Sequence, residues 1–408
     1  MSMGIQARGR WLLAFGLLAA STAARILVYP VVVSDYTAFY AKWLAVLAHA
    51  PGLSALATPF SNYPPLYLYL FKILAIGPID GLYGIKTLSF IFEVVIATAA
   101  AWMVGKTAPR AYDRSELFLI FAVMLSIPTL LINGSLWGQV DALYAAFVLL
   151  SLFALLQKRP LAAAVLYSVA LAFKIQAIFF LPVFLGYLLR DRRFGYVLIL
   201  PAGYVVSVIP AWLAGASLPY LLTVYLRQAN EYPFLNLNSS SVFALAQGFQ
   251  TSSIAQSLLS GAGIAIAGVC ALYIVYCIVR LPRVDAVSWL YFTLLSVMAI
   301  PYFLPHMHER YFYLADMVSV IYAFYVPRNW YVPIFVVLSS FVAYSAFLSR
   351  DIAWFAMFRG FGVDLSSLLM FVALLLLVVR QREVDLHTSR AAAPMSVAGA
   401  SRLSEACR

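Results

Sequence analysis

Apolar positions run along this chain in long unbroken stretches rather than in alternation. Trp11 to Ala20, Thr87 to Val104, Phe118 to Ile132, Val140 to Leu156 and Leu365 to Val379 carry almost no charge, and several approach the roughly 20 residues that cross a bilayer. The period of two that marks a barrel strand is absent, so the backbone must satisfy its hydrogen bonds within helices. The pattern predicts about 12 spans, near residues 11–33, 85–106, 116–133, 141–157, 161–174, 177–190, 196–214, 257–280, 285–303, 311–326, 330–347 and 363–380. The fifth and sixth are short and separated only by Ile175 and Gln176, which reads as a pair of half-helices or a broken hairpin.

Composition excludes the soluble alternative. At 64% hydrophobic and 11% charged residues, the chain has more apolar surface than a globular core hides. The net charge of +11 reads as topology rather than as a nucleic-acid footprint. Arg8 and Arg10, then Lys106, Arg110 and Arg114, then Lys158 and Arg159, then Arg190, Arg192 and Arg193, then Arg280 and Arg283, Arg328, and Arg380 and Arg382 recur at every second boundary. Both termini are therefore expected in the cytoplasm of a multi-pass plasma-membrane protein, with the first span an uncleaved anchor. The expected organisation is one transmembrane domain over 1–380, with outer loops at 34–84, 134–141 and 215–256 and a disordered cytoplasmic tail at 381–408. Apolar-aromatic patterning in 34–84 suggests helices lying in the interface, although Tyr67 to Ile76 also reads as one more short span. Cys270, Cys277 and Cys407 supply no disulfide framework.

Polar residues collect at one side. Ser34-Asp35-Tyr36 follows the first span, where an acid is equally well a solvated terminus. Asn133 to Asp141 forms a tight turn with Trp137, Gln139 and Asp141, and Lys174 and Gln176 interrupt an apolar stretch at the half-helix break. The densest cluster is His306-Met307-His308-Glu309-Arg310-Tyr311. Two histidines two apart on a helix face different ways, so a metal pair there needs extended backbone. Arg310 offers a planar fork to phosphate and Glu309 is its natural partner. Arg25 near the end of the first span reads as snorkelling. Glu93 and Asp316, within apolar spans, read as its partners, as partners of neighbouring residues, or as an ion path. Carboxylates on one part of a cavity suit proton abstraction from a hydroxyl, and cations on another suit a phosphate leaving group.

In succession, Ser34-Asp35-Tyr36, Tyr63-Pro64-Pro65-Leu66-Tyr67-Leu68, Trp137-Gly138-Gln139-Val140-Asp141, Phe173-Lys174-Ile175-Gln176 and His306 to Tyr311 resemble the prokaryotic membrane mannosyltransferases related to the second mannosyltransferase of GPI-anchor synthesis. These belong to the GT-C superfamily. The resemblance spans about residues 8–380 and departs at Ile175, where those enzymes more often have proline. It implies an all-α polytopic bundle of GT-C type that transfers a hexose, usually mannose, with inversion on the outer membrane face. The donor would be a polyprenyl-phosphate sugar, and the acceptor a lipid, glycolipid or protein. Asp35 would be the general base, and Asp141 would position donor or acceptor or bind a metal. Lys174, Gln176, His308 and Arg310 would hold the donor phosphate, supported by Tyr36, Tyr63, Gln139, His306, Glu309 and Tyr311. No cofactor is called for, and a divalent metal at Asp35 and Asp141 stays open. The rival from another class is a secondary transporter of about 12 spans, against which the two halves, 1–195 and 196–408, show no convincing match. A catalytically silent scaffold subunit is the third reading.

Overall fold

The computed structural model describes residues 2–229, 231, 234–246 and 252–392. Helices α1 (Ser2–Val28), α2 (Ala41–His49), α3 (Pro65–Ile76), α4 (Gly81–Thr107), α5 (Arg114–Leu125), α6 (Pro128–Leu130), α7 (Asp141–Leu156), α8 (Pro160–Phe173) and α9 (Leu181–Arg190) make up the first half. The second half contains α10 (Ile199–Leu213), α11 (Leu218–Leu222), α12 (Val224–Ala229), α13 (Ser253–Arg280), α14 (Ala286–Phe303), α15 (Tyr313–Tyr325), α16 (Tyr331–Leu348) and α17 (Gly362–Ala392). A parallel pair, β1 (Asn236–Leu237) with β2 (Met307–His308), ties the two long connections of that half together. This is the expected all-α polytopic bundle, whose apolar helices mark a membrane protein.

The span count differs from the hydropathy reading. Among the described residues seven helices are long and apolar enough to cross a bilayer, or eight if the pair Arg114–Leu125 and Pro128–Trp137, bent by 45°, is one span. The predicted segments at 141–157, 161–174, 177–190 and 311–326 are helical but short: α7, of 16 residues, is about 24 Å long against a hydrocarbon core of about 30 Å. Hydropathy registers apolar burial, and inside a helix bundle neighbouring helices supply that burial as well as lipid does. α7 is buried along nearly its whole length, and 78% of the apolar stretch of α14 is buried, against 17% for α1 and 22% for α13. The bend at 126–128 has a local cause: Pro128 brings no backbone N–H and holds Ile127 extended. α3, with 12 residues, is likewise too short to span. The final helix continues to Ala392, and the tail expectation from residue 393 onward lies outside the described residues.

Two buried cations set the course of the chain toward the site. Arg25 does not snorkel: it is 5% exposed, ion-paired to Glu93 at 2.6 Å, and donates to Ser135 Oγ at 2.7 Å and Leu125 O at 3.0 Å. α1 packs on α5 here, and the nearby carboxylate and carbonyl offer the guanidinium more than a distant interface would. Lys86 of α4 donates to Tyr29 O at 2.8 Å and Val31 O at 2.7 Å, taking up carbonyls at the end of α1. Asp316 accepts from Ser340 Oγ at 2.7 Å. Gly134 lies against Glu93 and Ser89, and a Cβ there would collide with the Glu93 carboxylate. Gly134→Ala is expected to cost about 1–3 kcal/mol, read as a lowered Tm in detergent. An unchanged Tm would show that α4 gives way freely.

Candidate active site

The four polar clusters converge because each sits at a helix end. Asp35 precedes a π-helical turn, Tyr36–Tyr40, and another π-helical stretch, Leu131–Trp137, carries the second cluster. Gly138 ends that stretch at φ 80°, a left-handed conformation that favours glycine. The turn aims Trp137 and Gln139 at Asp35: Asp35 Oδ2 accepts from Trp137 Nε1 at 3.0 Å and from Gln139 Nε2 at 3.2 Å. Its Oδ1 accepts from Arg350 at 2.8 Å. Ser89 Oγ donates to Gln139 O at 2.6 Å, and Tyr67 OH donates to Val140 O at 2.8 Å. Tyr40 OH holds the side-chain oxygen of Gln139 at 2.9 Å and meets Tyr63 OH at 2.8 Å. Burial pushes the Tyr40 phenol well above its ordinary range, so it serves as a neutral hydrogen-bonding group.

The second carboxylate has a different environment. Asp141, the first residue of α7, is 1% exposed. It is ion-paired to Lys174, accepts from Asn133 Nδ2 at 2.9 Å, and lies 3.8 Å from Arg310 Nε. Lys174 reaches it from the break between α8 and the 3-10 turn Ile175–Phe180, where its own backbone is extended. Arg310 is paired with Glu309 at 2.8 Å, and its Nε has no hydrogen-bond partner among the described residues. Asp35 and Asp141 thus take separate partners, and among the described residues no group of three or more His, Cys, Asp or Glu side chains is placed to hold a metal ion.

The 304–312 connection is built by the β1–β2 pair. His306 adopts φ 61°, a conformation that costs a non-glycine residue. It is held by bonds from its backbone N–H to Leu235 O at 2.8 Å and between ring Nδ1 and Phe234 O at 2.7 Å. Glu309 N–H donates to Leu237 O at 3.1 Å, so His308 is delivered on an extended backbone and Arg310 in the turn that follows it. Burial works against the charge on Glu309, yet the adjacent His308 ring and Arg310 guanidinium outweigh it and hold the carboxyl below its ordinary value of 4.5. A depressed folded value means that Glu309 contributes stability above pH 4.5 that is lost as pH falls through the lower folded value. Glu309→Gln should therefore flatten the acid limb of Tm against pH. An acid limb as steep as in the wild type would refute this.

Two cavities meet over these residues. One, of about 550 Å³, is lined by Lys174, Gln176, His306, His308, Arg310 and Tyr311 and extends to Ser260 and Ile264 on α13. The other, of about 350 Å³, is lined by Asp35, Gln139, Trp43, Glu309 and Arg350. Tyr63, His308 and Arg310 line both. The predicted residues therefore gather with two qualifications: Asp141 lies behind the cavities, and Tyr36 turns its hydroxyl toward Gly81 and Leu82 at the start of α4. Tyr40, Lys86 and Arg350 carry no signal in local pattern. Arg350 is one of several cations, Arg359 among them, that fall outside the basic boundaries used for orientation.

The cation-lined cavity beside a carboxylate-lined one can bind an anionic leaving group and take a proton from a hydroxyl on either side of Tyr63. Residues 60–301, more than half the chain, match the family model described as Glycosyltransferase family 87. No curated protein matches the chain.

Proposed function

The chain belongs to glycosyltransferase family 87, and from that premise we propose that it moves a hexose, usually mannose in the enzymes its motifs resemble, from a polyprenyl-phosphate sugar to an acceptor hydroxyl. The observation that carries this reading is the junction of the two cavities at Tyr63, His308 and Arg310. The donor phosphate lies in the larger cavity against Lys174, Gln176, His308 and Arg310, with its polyprenyl chain leaving along α13, whose apolar residues Ile264 and Leu272 are exposed. The acceptor hydroxyl enters the smaller cavity. Asp35 takes its proton as the oxygen attacks the anomeric carbon from the face opposite the phosphate. The carbon–phosphate oxygen bond breaks, the phosphate leaves with the bonding electrons, and the configuration inverts. Asp141 keeps Lys174 and Arg310 in place from behind. The recurrence of basic residues at alternate helix ends supports a site on the outer face of a plasma membrane, with both termini cytoplasmic. The acceptor is a lipid, glycolipid or protein.

Purified protein given radiolabelled polyprenyl-phosphate mannose should transfer label to octyl mannoside or to a total lipid extract. Label moved only from another lipid-phosphate hexose would correct the sugar. No transfer from any such donor, with solute movement in liposomes, would overturn the reading in favour of a transporter. Arg310→Lys retains charge but loses the planar fork, and transfer should fall by roughly tenfold or more, the worth of about 1.5–3 kcal/mol for a charged hydrogen bond. Full activity would place the phosphate elsewhere.

A further inference from the structure

Asp35 has a companion that the reaction scheme does not use. A carboxylate offers about four lone-pair sites. Oδ2 accepts from both Trp137 and Gln139, which leaves Oδ1 as the oxygen free to take a proton, and Oδ1 is the atom held by Arg350 at 2.8 Å. Arg350 is itself braced. Its guanidinium lies 3.7 Å from the centroid of the Phe347 ring, and its Nε is 3.5 Å from Asp351 Oδ2. The same Asp351 oxygen accepts from Ser34 Oγ at 2.9 Å. Adjacent residues Ser34 and Asp35 thus clasp adjacent residues Asp351 and Arg350 through two crossed polar bonds, joining the chain after α1 to the turn after α16. Arg359 Nη2 pins that turn by donating to Ser349 O at 2.6 Å.

Building on Asp35 as the base, we infer that Arg350 is its positioning residue: the Ser34–Asp351 and Asp35–Arg350 clasp orients Oδ1 so that its remaining lone pair faces the acceptor cavity. Trp137 and Gln139 restrain Oδ2 at 3.0 and 3.2 Å, but a carboxylate pulled from one side only still rocks about its Cβ–Cγ bond, which displaces both oxygens together. The contact from Arg350, which lines the same cavity, removes that freedom. Its side chain is 47% exposed, so solvent screens its charge and its effect lies in geometry more than in electrostatics.

The test uses the full-length purified chain with polyprenyl-phosphate mannose and octyl mannoside or total lipid extract, measuring kcat, both KM values and Tm. Arg350→Ala should lower kcat by up to about 10²-fold, the usual scale for a misplaced reacting group, with both KM values and Tm near wild type. Arg350→Lys should recover part of that loss, and Asp351→Asn and Ser34→Ala should give smaller falls in the same sense. Unchanged kcat in Arg350→Ala, or a loss that appears as a raised acceptor KM, overturns the inference, the second outcome because Arg350 would then grip the acceptor itself. If Arg350→Ala does not fold, Arg350→Lys and Asp351→Asn decide by the same criteria. A fully active Asp35→Asn would show that the base is misassigned, whereas an inactive Asp35→Asn beside a normal Arg350→Ala would refute the clasp alone.

Discussion

Replacing Asp35 with asparagine should cut kcat by about 10²–10⁴-fold, the ordinary contribution of a general base, while leaving the donor KM close to wild type. Asparagine fills the same space, and its oxygen still accepts from Trp137 Nε1 or Gln139 Nε2, the bonds Asp35 makes at 3.0 and 3.2 Å. Its amide nitrogen sits where Oδ1 was, takes no proton and cannot accept from Arg350, whose half-exposed side chain must turn to solvent. On the proposed reading the donor phosphate is bound by Lys174 and Arg310, which line the larger cavity, whereas the polar bonds of Asp35 go to Trp137, Gln139 and Arg350, so ground-state binding of the donor should be spared. This split between kcat and KM separates loss of a base from loss of a binding group. Full activity at equal expression would transfer the role to another carboxylate, with Glu309, which lines the same cavity, the next to test.

The second large effect is expected far from the acceptor. Glu93→Gln leaves the Arg25 guanidinium, 7% exposed at the side chain, among apolar helices without its counter-charge. Breaking one side of a buried pair costs about 3–5 kcal/mol, enough for a marked fall in Tm and in the yield of folded protein. The doubly apolar Arg25→Met with Glu93→Leu should recover most of that stability, because removing both charges also removes their desolvation cost. Transfer should not recover with it. Arg25 also donates to Ser135 Oγ at 2.7 Å, within the Leu131–Trp137 stretch that aims Trp137 at Asp35. A double variant as active as the wild type would reduce the pair to a stability element, and a single variant as stable as the wild type would show that water reaches Arg25.

The half-helix break was legible because its signal is local. Lys174 and Gln176 interrupt an apolar run, and the chain does switch there from α8 through an extended residue to a 3-10 turn. The acid-base cluster at 306–311 stood out for the same reason. Its backbone did not: the extended form of Met307 and His308 depends on β1, a strand supplied by the distant 234–241 segment. The Arg25–Glu93 pair was one of several partnerships open to those residues. Arg350 was invisible, since its meaning comes from Asp35, which lies at the other end of the chain.

Hydropathy is a sum over neighbours in sequence, so the chain by itself determined that it forms apolar helices, that it belongs in a membrane, and that acids, cations and aromatics gather at one set of helix ends. Electrostatic and hydrogen-bonding roles depend instead on distances of a few ångströms between residues remote in sequence. Only tertiary packing decided that Asp141 is spent on Lys174 and Arg310 behind the cavities, while Asp35, identical in chemistry, keeps an oxygen at the cavity wall under the hold of Arg350.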